Sequence, residues 1–166
     1  YLYGYPVFYT PIFFHPDPTV KRQSGFLTPS ITNSTLLGNG INLPYYFALA
    51  EHKDATLNPK IYADENPVIQ TEYRHVTKNS YSILDTSFNQ GYKKTSDKKT
   101  GGSRNHIFAR SDIDLDLETF DESKLSINFQ KTSNDTYLKV HDINSKIMKS
   151  NTIMNSSIAM NFSKND

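Results

Sequence analysis

The chain has 166 residues, of which 36% are hydrophobic and 13% aromatic, with 11 Tyr, 10 Phe and no Trp. This length is enough for one ordinary domain, but so low an apolar fraction is poor for a dense soluble core. The net charge of +1 gives no indication of nucleic-acid binding, so we expect no nucleic acid among the partners. The absence of cysteine excludes disulfides, cysteine-based zinc sites and thiol nucleophiles.

The first part of the chain is punctuated by proline, because all eight prolines lie at or before Pro67. The stretch HPDPTVKRQSGFLTP, residues 15–29, joins prolines, a basic pair and a Ser-Gly turn to an apolar segment that begins at Phe26. We therefore expect a stiff lead-in followed by strands. The sequence starts at Tyr1 without a leader and stops within an alternating pattern, so we expect it to be a piece of a longer protein.

Alternation of apolar and polar residues then recurs along the chain and predicts an all-β fold, an antiparallel meander of about seven strands. No apolar run reaches the length of about 18 residues that a transmembrane helix needs. Helical periodicity is nearly absent, and only 144–150 could form a helical turn. The predicted strands are 41–49, 55–63, 68–76, 81–92, 107–118, 125–131 and 154–162.

Two architectures produce this alternation. A soluble β-sandwich turns its apolar face inward, whereas a transmembrane barrel turns it toward lipid and its polar face toward a wet lumen. Sandwich strands average about five or six residues and membrane-spanning strands need about nine to eleven. The predicted lengths favour the barrel, and the alternation by itself leaves both architectures open.

Three aspartates in the segment 107–118 are the densest charges of the pattern. Asp112, Asp114 and Asp116 are expected on one strand face, about 6.6 Å apart at successive steps. This spacing permits a divalent ion, but the wall of a hydrated lumen is the simpler interpretation. No Ser-His-Asp signature, phosphate-binding loop or metal-ligand spacing stands out. We therefore predict no enzyme, catalytic residue, metal or cofactor.

Five ordered blocks make the first half recognisable. They are PVFYTP at 6–11, KRQSGFLTP at 21–29, LPYYF at 43–47, DATLNP at 54–59 and EYR at 72–74. Together they resemble the LptD family of lipopolysaccharide-assembly proteins, also called organic solvent tolerance proteins. A later segment, DTYLKVHDI at 135–143, is similar to one found in alphaproteobacterial members. From residue 76 onward the resemblance is weaker.

The resemblance implies a periplasmic β-jellyroll domain followed by a large outer-membrane barrel. Residues 1–25 would be the end of the jellyroll and the junction, and 26–166 the first strands of the barrel. The implied function is insertion of lipopolysaccharide into the outer leaflet of a Gram-negative outer membrane, through lateral opening of the barrel. The implied partners are lipopolysaccharide, an LptE-like lipoprotein plug, the outer membrane and, through the missing N-terminal domain, an LptA-like periplasmic bridge.

If the chain has this architecture, its prolines and one basic pair have specific expected roles. A junction hinge is expected at Pro11, Pro16 and Pro18, and a contact of Lys21 and Arg22 with anionic headgroups at the membrane face. Pro29 and Pro44 lie in or beside the first predicted strand and Pro59 in the second. Since each proline removes a ladder hydrogen bond, we expect these three to weaken the lateral gate or seam.

Two other functions share part of the pattern. A porin-like passive channel would have the same alternation without the proline-rich lead-in. A soluble β-sandwich that binds carbohydrate would account for the tyrosine content.

Overall fold

A computed structural model describes residues 22–97, 99–150 and 153–164, and over these residues the fold is nearly all β. One helical turn, α1 (Tyr137–Val140), interrupts the strands. The strands are β1 (Gly25–Phe26), β2 (Ser30–Ser34), β3 (Gly38–Asn42), β4 (Tyr45–Ala50), β5 (Lys53–Tyr62), β6 (Val68–Val76), β7 (Ser80–Asn89), β8 (Arg104–Asp114), β9 (Glu122–Thr132) and β10 (Ser157–Ser163).

The strands form one antiparallel sheet in which neighbours along the chain lie side by side. The β5 strand pairs with β4 over one half and with β3 over the other, so β3 and β4 act as one interrupted strand. In the same way β1 pairs with β4 and β2 with β3. We call β1 with β2 the first strand and β3 with β4 the second strand. The first strand is one edge of the sheet, and β10 is the other.

The prediction of an all-β antiparallel meander is confirmed, and all seven predicted segments overlap strands. The count rises to ten because 41–49 is split at Pro44 and because β1 and β2 precede it. The helical turn lies at 137–140 and not at 144–150, where the structure has bends but no helix. Within the described residues, no helix is long and apolar enough to cross a membrane.

The two faces of the sheet differ in chemistry, because cross-strand partners share a face and successive residues alternate. The apolar face leaves large side chains exposed, among them Ile41, Phe47, Ile61, Ile69, Leu84, Phe88, Ile107, Phe129, Ile158 and Met160. The opposite, polar face carries Asp54, Lys60, Gln70, Arg74, Asp85, Arg104, His106, Arg110 and Gln130. Val68, Ile83 and Phe108 also lie on the polar face, where they are buried.

The two ends of the sheet also differ. One end, the short-turn end, holds the connections 51–52, 77–79 and 115–121. The other, the long-loop end, holds 35–37, 63–67, 90–103 and 133–156. Within the last of these, residues 133–150 fold back over the polar face, and we call them the strap. The buried hydrophobic cluster lies between strap and sheet: Leu37, Tyr62, Val68, Ile83, Phe108, Tyr137, Leu138, Ile143 and Ile147.

Candidate functional site

Three prolines occupy adjoining register positions across the first three strands of the meander. Leu27 N–H donates to the Pro44 carbonyl at 2.8 Å, and Leu43 N–H donates to the Pro59 carbonyl at 3.1 Å. In an antiparallel hydrogen-bonded pair the two residues normally exchange two bonds. Since proline has no N–H, each of these pairs keeps one bond and lacks the other. We call Pro29, Pro44 and Pro59 the proline line.

The edge of the sheet is weakest where the proline line reaches it. Between the pairs Phe26↔Tyr45 and Ser30↔Asn42 the register shifts, so that 27–29 of the first strand oppose 43–44 of the second. Pro29 lies in this bulge, between β1 and β2. A bulge interrupts the ladder and bends the strand. The first strand is therefore held by two short ladders rather than one continuous one.

At the short-turn end, polar side chains add to the attachment of the first strand. Arg22 forms an ion pair with Asp54 on β5, and its guanidinium lies 5.7 Å from the centre of the Tyr46 ring. Asp54 also accepts a hydrogen bond from Arg74 Nε at 2.7 Å. Ser24 Oγ accepts one from Ala48 N–H at 2.8 Å. The contact of Arg22 with anionic headgroups stays a prediction, and the described contacts give this guanidinium a protein partner.

The strap is anchored to the polar face by a buried chain of hydrogen bonds. The His106 ring lies between Asp85, 3.1 Å from Nε2, and Ser87, 2.6 Å from Nδ1. Because a carboxylate only accepts, Nε2–H donates to Asp85 and Nδ1 accepts from the Ser87 hydroxyl. Ser87 in turn lies 2.8 Å from the Tyr137 hydroxyl on α1. Burial raises the pKa of Tyr137 to about 12, so this phenol stays protonated and can donate.

This chain of hydrogen bonds brings a serine, a histidine and an aspartate together, although the sequence shows no signature of a Ser-His-Asp triad. Ser87 is 2% exposed and its hydroxyl is already engaged on both sides, by His106 and by Tyr137. A nucleophilic serine needs an open approach for a substrate carbonyl. The arrangement therefore serves to bind the strap and offers no access to a substrate.

Further anchors spread along the strap. Gln70 Nε2 donates to Asp85 and to the Asn144 carbonyl, both at 3.2 Å. Gln130 Nε2 donates to the Ile147 carbonyl at 3.3 Å. At the exposed edge of the strap, Lys146 pairs with Glu72 at 2.9 Å. On β5, Lys60 Nζ donates to the His141 carbonyl at 3.1 Å, so the strap crosses the sheet from β9 to β5.

The predicted aspartate row is only partly a row. Asp112 and Asp114 lie on β8, where Asp112 accepts from Arg110 Nε and from Ser126 Oγ, both at 2.8 Å. Asp116 does not share their strand face, because β8 ends at Asp114 and Asp116 lies in the following turn with φ 51°. Aspartate is one of the few residues that adopt this conformation readily. Within the described ranges no group of three or more His, Asp or Glu side chains could hold a metal ion.

A cavity of about 540 Å³ opens between the strap and the first two strands. Its wall includes Thr32 and Asn42, its floor Lys60 and Tyr62, and its strap side Lys139 and His141. The floor depends on Gly40, because a Cβ there would lie 2.8 Å from the Tyr62 ring and 2.9 Å from Thr32 Oγ1. The missing side chain lets the Tyr62 ring lie against the second strand.

We expect Gly40→Ala to destabilise the complete protein by about 2 kcal/mol, because the buried Tyr62 ring must move. The midpoint of urea unfolding in detergent micelles measures this change. Gly25→Ala is the matched control, since a Cβ at Gly25 meets nothing within 4 Å, and it should stay within about 0.5 kcal/mol of the parent. Equal midpoints for the two variants would contradict this account of the floor.

His141 is the most unusual residue of this cavity. It is 2% exposed, and three tyrosine rings surround it, those of Tyr62, Tyr92 and Tyr137. Among the described residues, neither of its ring nitrogens has a hydrogen-bond partner. Burial lowers the pKa of His141 to about 4, and the charges of Arg104 and Lys60 act in the same direction. The ring is therefore neutral at pH 7, with one N–H donor and one acceptor unused.

Comparison with known proteins identifies the family of this chain. The family model described as "LptD protein" matches residues 1–165. The chain belongs to the LptD family. Its curated relatives are named "LPS-assembly protein LptD". One from Psychrobacter cryohalolentis is 40% identical over 103 residues, and one from Pseudomonas aeruginosa strain UCBPP-PA14 is 39% identical over 84 residues.

The matches to relatives cover only part of the LptD-family chain. They span 62% of it for the Psychrobacter protein and 51% for the Pseudomonas protein, which amounts to 10% and 9% of those relatives. A third relative, from Ectopseudomonas mendocina, is 44% identical over 75 residues, 45% of this chain and 8% of the relative. The chain therefore spans about a tenth of the length of the curated relatives it matches.

Some predicted site residues of this LptD-family chain lie outside the described residues, namely Pro11, Pro16, Pro18 and Lys21. Their roles stay predictions. The strap, the buried chain from Tyr137 to Asp85 and the cavity were not predicted from the sequence. The segment 135–143, which resembles part of some family members, was the one sequence signal for the strap, because it lies on it. This resemblance did not indicate which face of the sheet the strap covers.

Proposed function

We propose that this chain forms the first strands of an outer-membrane barrel that inserts lipopolysaccharide into the outer leaflet by lateral opening. The observation that carries the proposal is the proline line at the edge of the sheet. A barrel that opens between its first and last strands needs a first strand that can bend away from the last one, and this first strand lacks ladder bonds to the second strand where the prolines lie. The names of the relatives supply the substrate.

The two faces of the sheet suit the two halves of this substrate. Lipopolysaccharide has acyl chains, which need an apolar surrounding, and phosphorylated sugars, which need a polar one. The exposed apolar face is suited to lipid, and the polar face, with Asp112 and Asp114 on β8, to a hydrated lumen. Short turns at one end and long loops at the other are typical of outer-membrane barrels, with the short turns on the periplasmic side.

The same proposal extends to the rest of the protein. Residues 1–25 would end a periplasmic jellyroll domain, with a hinge at Pro11, Pro16 and Pro18, and 26–166 would belong to the barrel. An LptE-like lipoprotein would fill the complete barrel, and an LptA-like bridge would dock on the jellyroll. The protein acts as a transporter and not as an enzyme.

Depletion of the complete gene product in its host tests the function. We expect surface lipopolysaccharide to fall while total lipopolysaccharide persists, because synthesis continues and only delivery stops. Surface labelling and whole-cell extraction, compared over several generations, measure the two pools. Unchanged surface lipopolysaccharide with reduced uptake of small solutes would indicate a porin-like channel and overturn the proposal.

A further inference from the structure

We propose that the short-turn end of β5 and β6 binds the phosphate headgroup of an anionic phospholipid from the periplasmic leaflet of the membrane. The inference rests on the membrane location in the proposed function and adds a lipid site to it. This lipid is a neighbour of the barrel and not its cargo. It lies on the apolar face of the sheet, opposite the face that carries the strap.

The apolar face becomes polar at this end of the sheet. Lys53 lies opposite His75, His75 opposite Ser82 and Ser82 opposite Ser111, and cross-strand partners share a face. On β5 and β6 this row is the last one before the turns. Tyr73 lies on the same face, two residues from His75 toward the middle of the sheet. Lysine and tyrosine at the boundary of an apolar face are typical of the level of lipid headgroups.

Two histidine rings beside Lys53 offer hydrogen-bond donors at this level. The ring centres of His52 and His75 lie 5.4 Å apart. Both side chains are open to a ligand, since His52 is exposed and His75 half-buried. Among the described residues, neither ring has a hydrogen-bond partner. Whether neutral or protonated, each imidazole carries at least one N–H, so the pair can donate to two oxygens of the same phosphate group.

Positive charge around these rings selects an anionic headgroup. A cavity of about 520 Å³ opens between the turn before β5 and the turn after β6, and His52, His75 and Lys78 line it with Glu51. Lys53 lies beside this lining, so two ammonium groups face one carboxylate. Within the described part of the chain, neither Lys53 nor Lys78 forms an ion pair. Ammonium groups bind the ionised oxygens of phosphate strongly, and phosphatidylglycerol brings no cation of its own to oppose them.

Two other cations near the membrane boundary differ from Lys53 in position. Arg22 is engaged by Asp54 on the polar face. Lys131 lies on the apolar face, opposite Ile107, but toward the long-loop end and so toward the outer leaflet. Of these three cations, Lys53 is the one that combines a lipid-facing position with the short-turn end.

Photocrosslinking in lipid nanodiscs tests the site. The probe is phosphatidylglycerol with a diazirine on its headgroup, reconstituted with the complete protein, and mass spectrometry identifies the labelled peptides. We expect label within 51–53 and 75–78. Lys53→Gln and Lys78→Gln should each lower this labelling about fivefold, because each removes one ammonium near the headgroup. Unlabelled phosphatidylglycerol should compete about fivefold better than phosphatidylethanolamine with the same acyl chains.

Lys131→Gln is the matched control, because Lys131 lies on the same face toward the opposite end of the sheet. It should leave the labelling of 51–53 and 75–78 unchanged. Both test variants should fold normally, since neither lysine is part of an ion pair within the described residues. Labelling that persists in Lys53→Gln, equal competition by phosphatidylethanolamine, or competition by inorganic phosphate at the concentration of the lipid would each overturn the site.

The site and the proposed function fail separately. If the parent protein is not labelled at this end while its depletion still lowers surface lipopolysaccharide, only the lipid site is wrong. If labelling follows the expected variant pattern while depletion leaves surface lipopolysaccharide unchanged, the lipid site stands and the role in export is wrong.

Discussion

Replacing Pro29 and Pro44 together with alanine should slow lipopolysaccharide insertion. Alanine at position 44 supplies an N–H for the Leu27 carbonyl, which completes the hydrogen-bonded pair at the edge of the sheet. Alanine at position 29 relaxes the fixed φ within the bulge. One added ladder bond holds the first strand to the second by about 1 kcal/mol more, so a state in which the first strand bends away to open the seam should become about fivefold less populated.

The rate at which newly made lipopolysaccharide becomes accessible to a surface label measures this effect. Pro67→Ala is the matched control. Pro67 lies in the 63–67 connection, and its carbonyl accepts from Asn89 Nδ2 at 2.9 Å, a bond that alanine keeps. An unchanged insertion rate in the double variant, with normal protein levels, would show that the proline line does not control the seam.

Asp85→Ala should release the strap from the sheet. The Asp85 carboxylate holds both the His106 ring, which fixes Ser87 for Tyr137, and the amide of Gln70, which bonds the Asn144 carbonyl. Its removal leaves two buried donors unsatisfied at about 1–3 kcal/mol each. We expect the attachment of the strap to weaken by about 3 kcal/mol, close to a hundredfold in the open fraction.

Limited trypsin digestion of the complete protein in detergent measures the open fraction, because Lys146 and Lys149 lie on the strap. Cleavage within 146–150 should become about a hundredfold faster in Asp85→Ala if opening equilibrates before cleavage. Asp112→Ala is the matched control, because it removes a carboxylate from the same face. The partner of this carboxylate, Arg110, is half exposed, so the cleavage rate should change by less than about fivefold. Equal protection of parent and Asp85→Ala would refute the anchoring role of the buried chain.

The strands themselves could be predicted because alternation is a local property. The segment 68–76 coincides with β6, and 125–131 lies within β9. The misses are local departures from ideal alternation. The Leu43–Pro44 step divides one predicted strand into β3 and β4, and the positive φ of Asp116 ends β8 earlier than its apolar pattern does. A pattern that classes each residue only as apolar or polar contains no information about dihedral angles or about the backbone N–H that proline lacks.

The identity of the first half could also be read from its motifs, but their geometry could not. Pro44 and Pro59 were expected at the seam one by one. Their alignment across the sheet requires that Leu27 lie opposite Pro44 and that Leu43 lie opposite Pro59. These registers are set by pairing along the whole length of the strands. Arg22 illustrates the same limit, because its partner Asp54 is distant in the sequence and is brought near by the meander.

By itself, then, the sequence of this protein determined an antiparallel all-β meander, a two-faced chemistry and membership of the LptD family, since each rests on neighbouring residues or linear motifs. Only the tertiary structure decided that the strap covers the polar face. It also joined Tyr137 to Asp85 through Ser87 and His106, and enclosed the cavity at His141. Those contacts join residues that are far apart in the chain. They form because buried polar groups need hydrogen-bond partners, and this requirement produces no periodic pattern in the sequence.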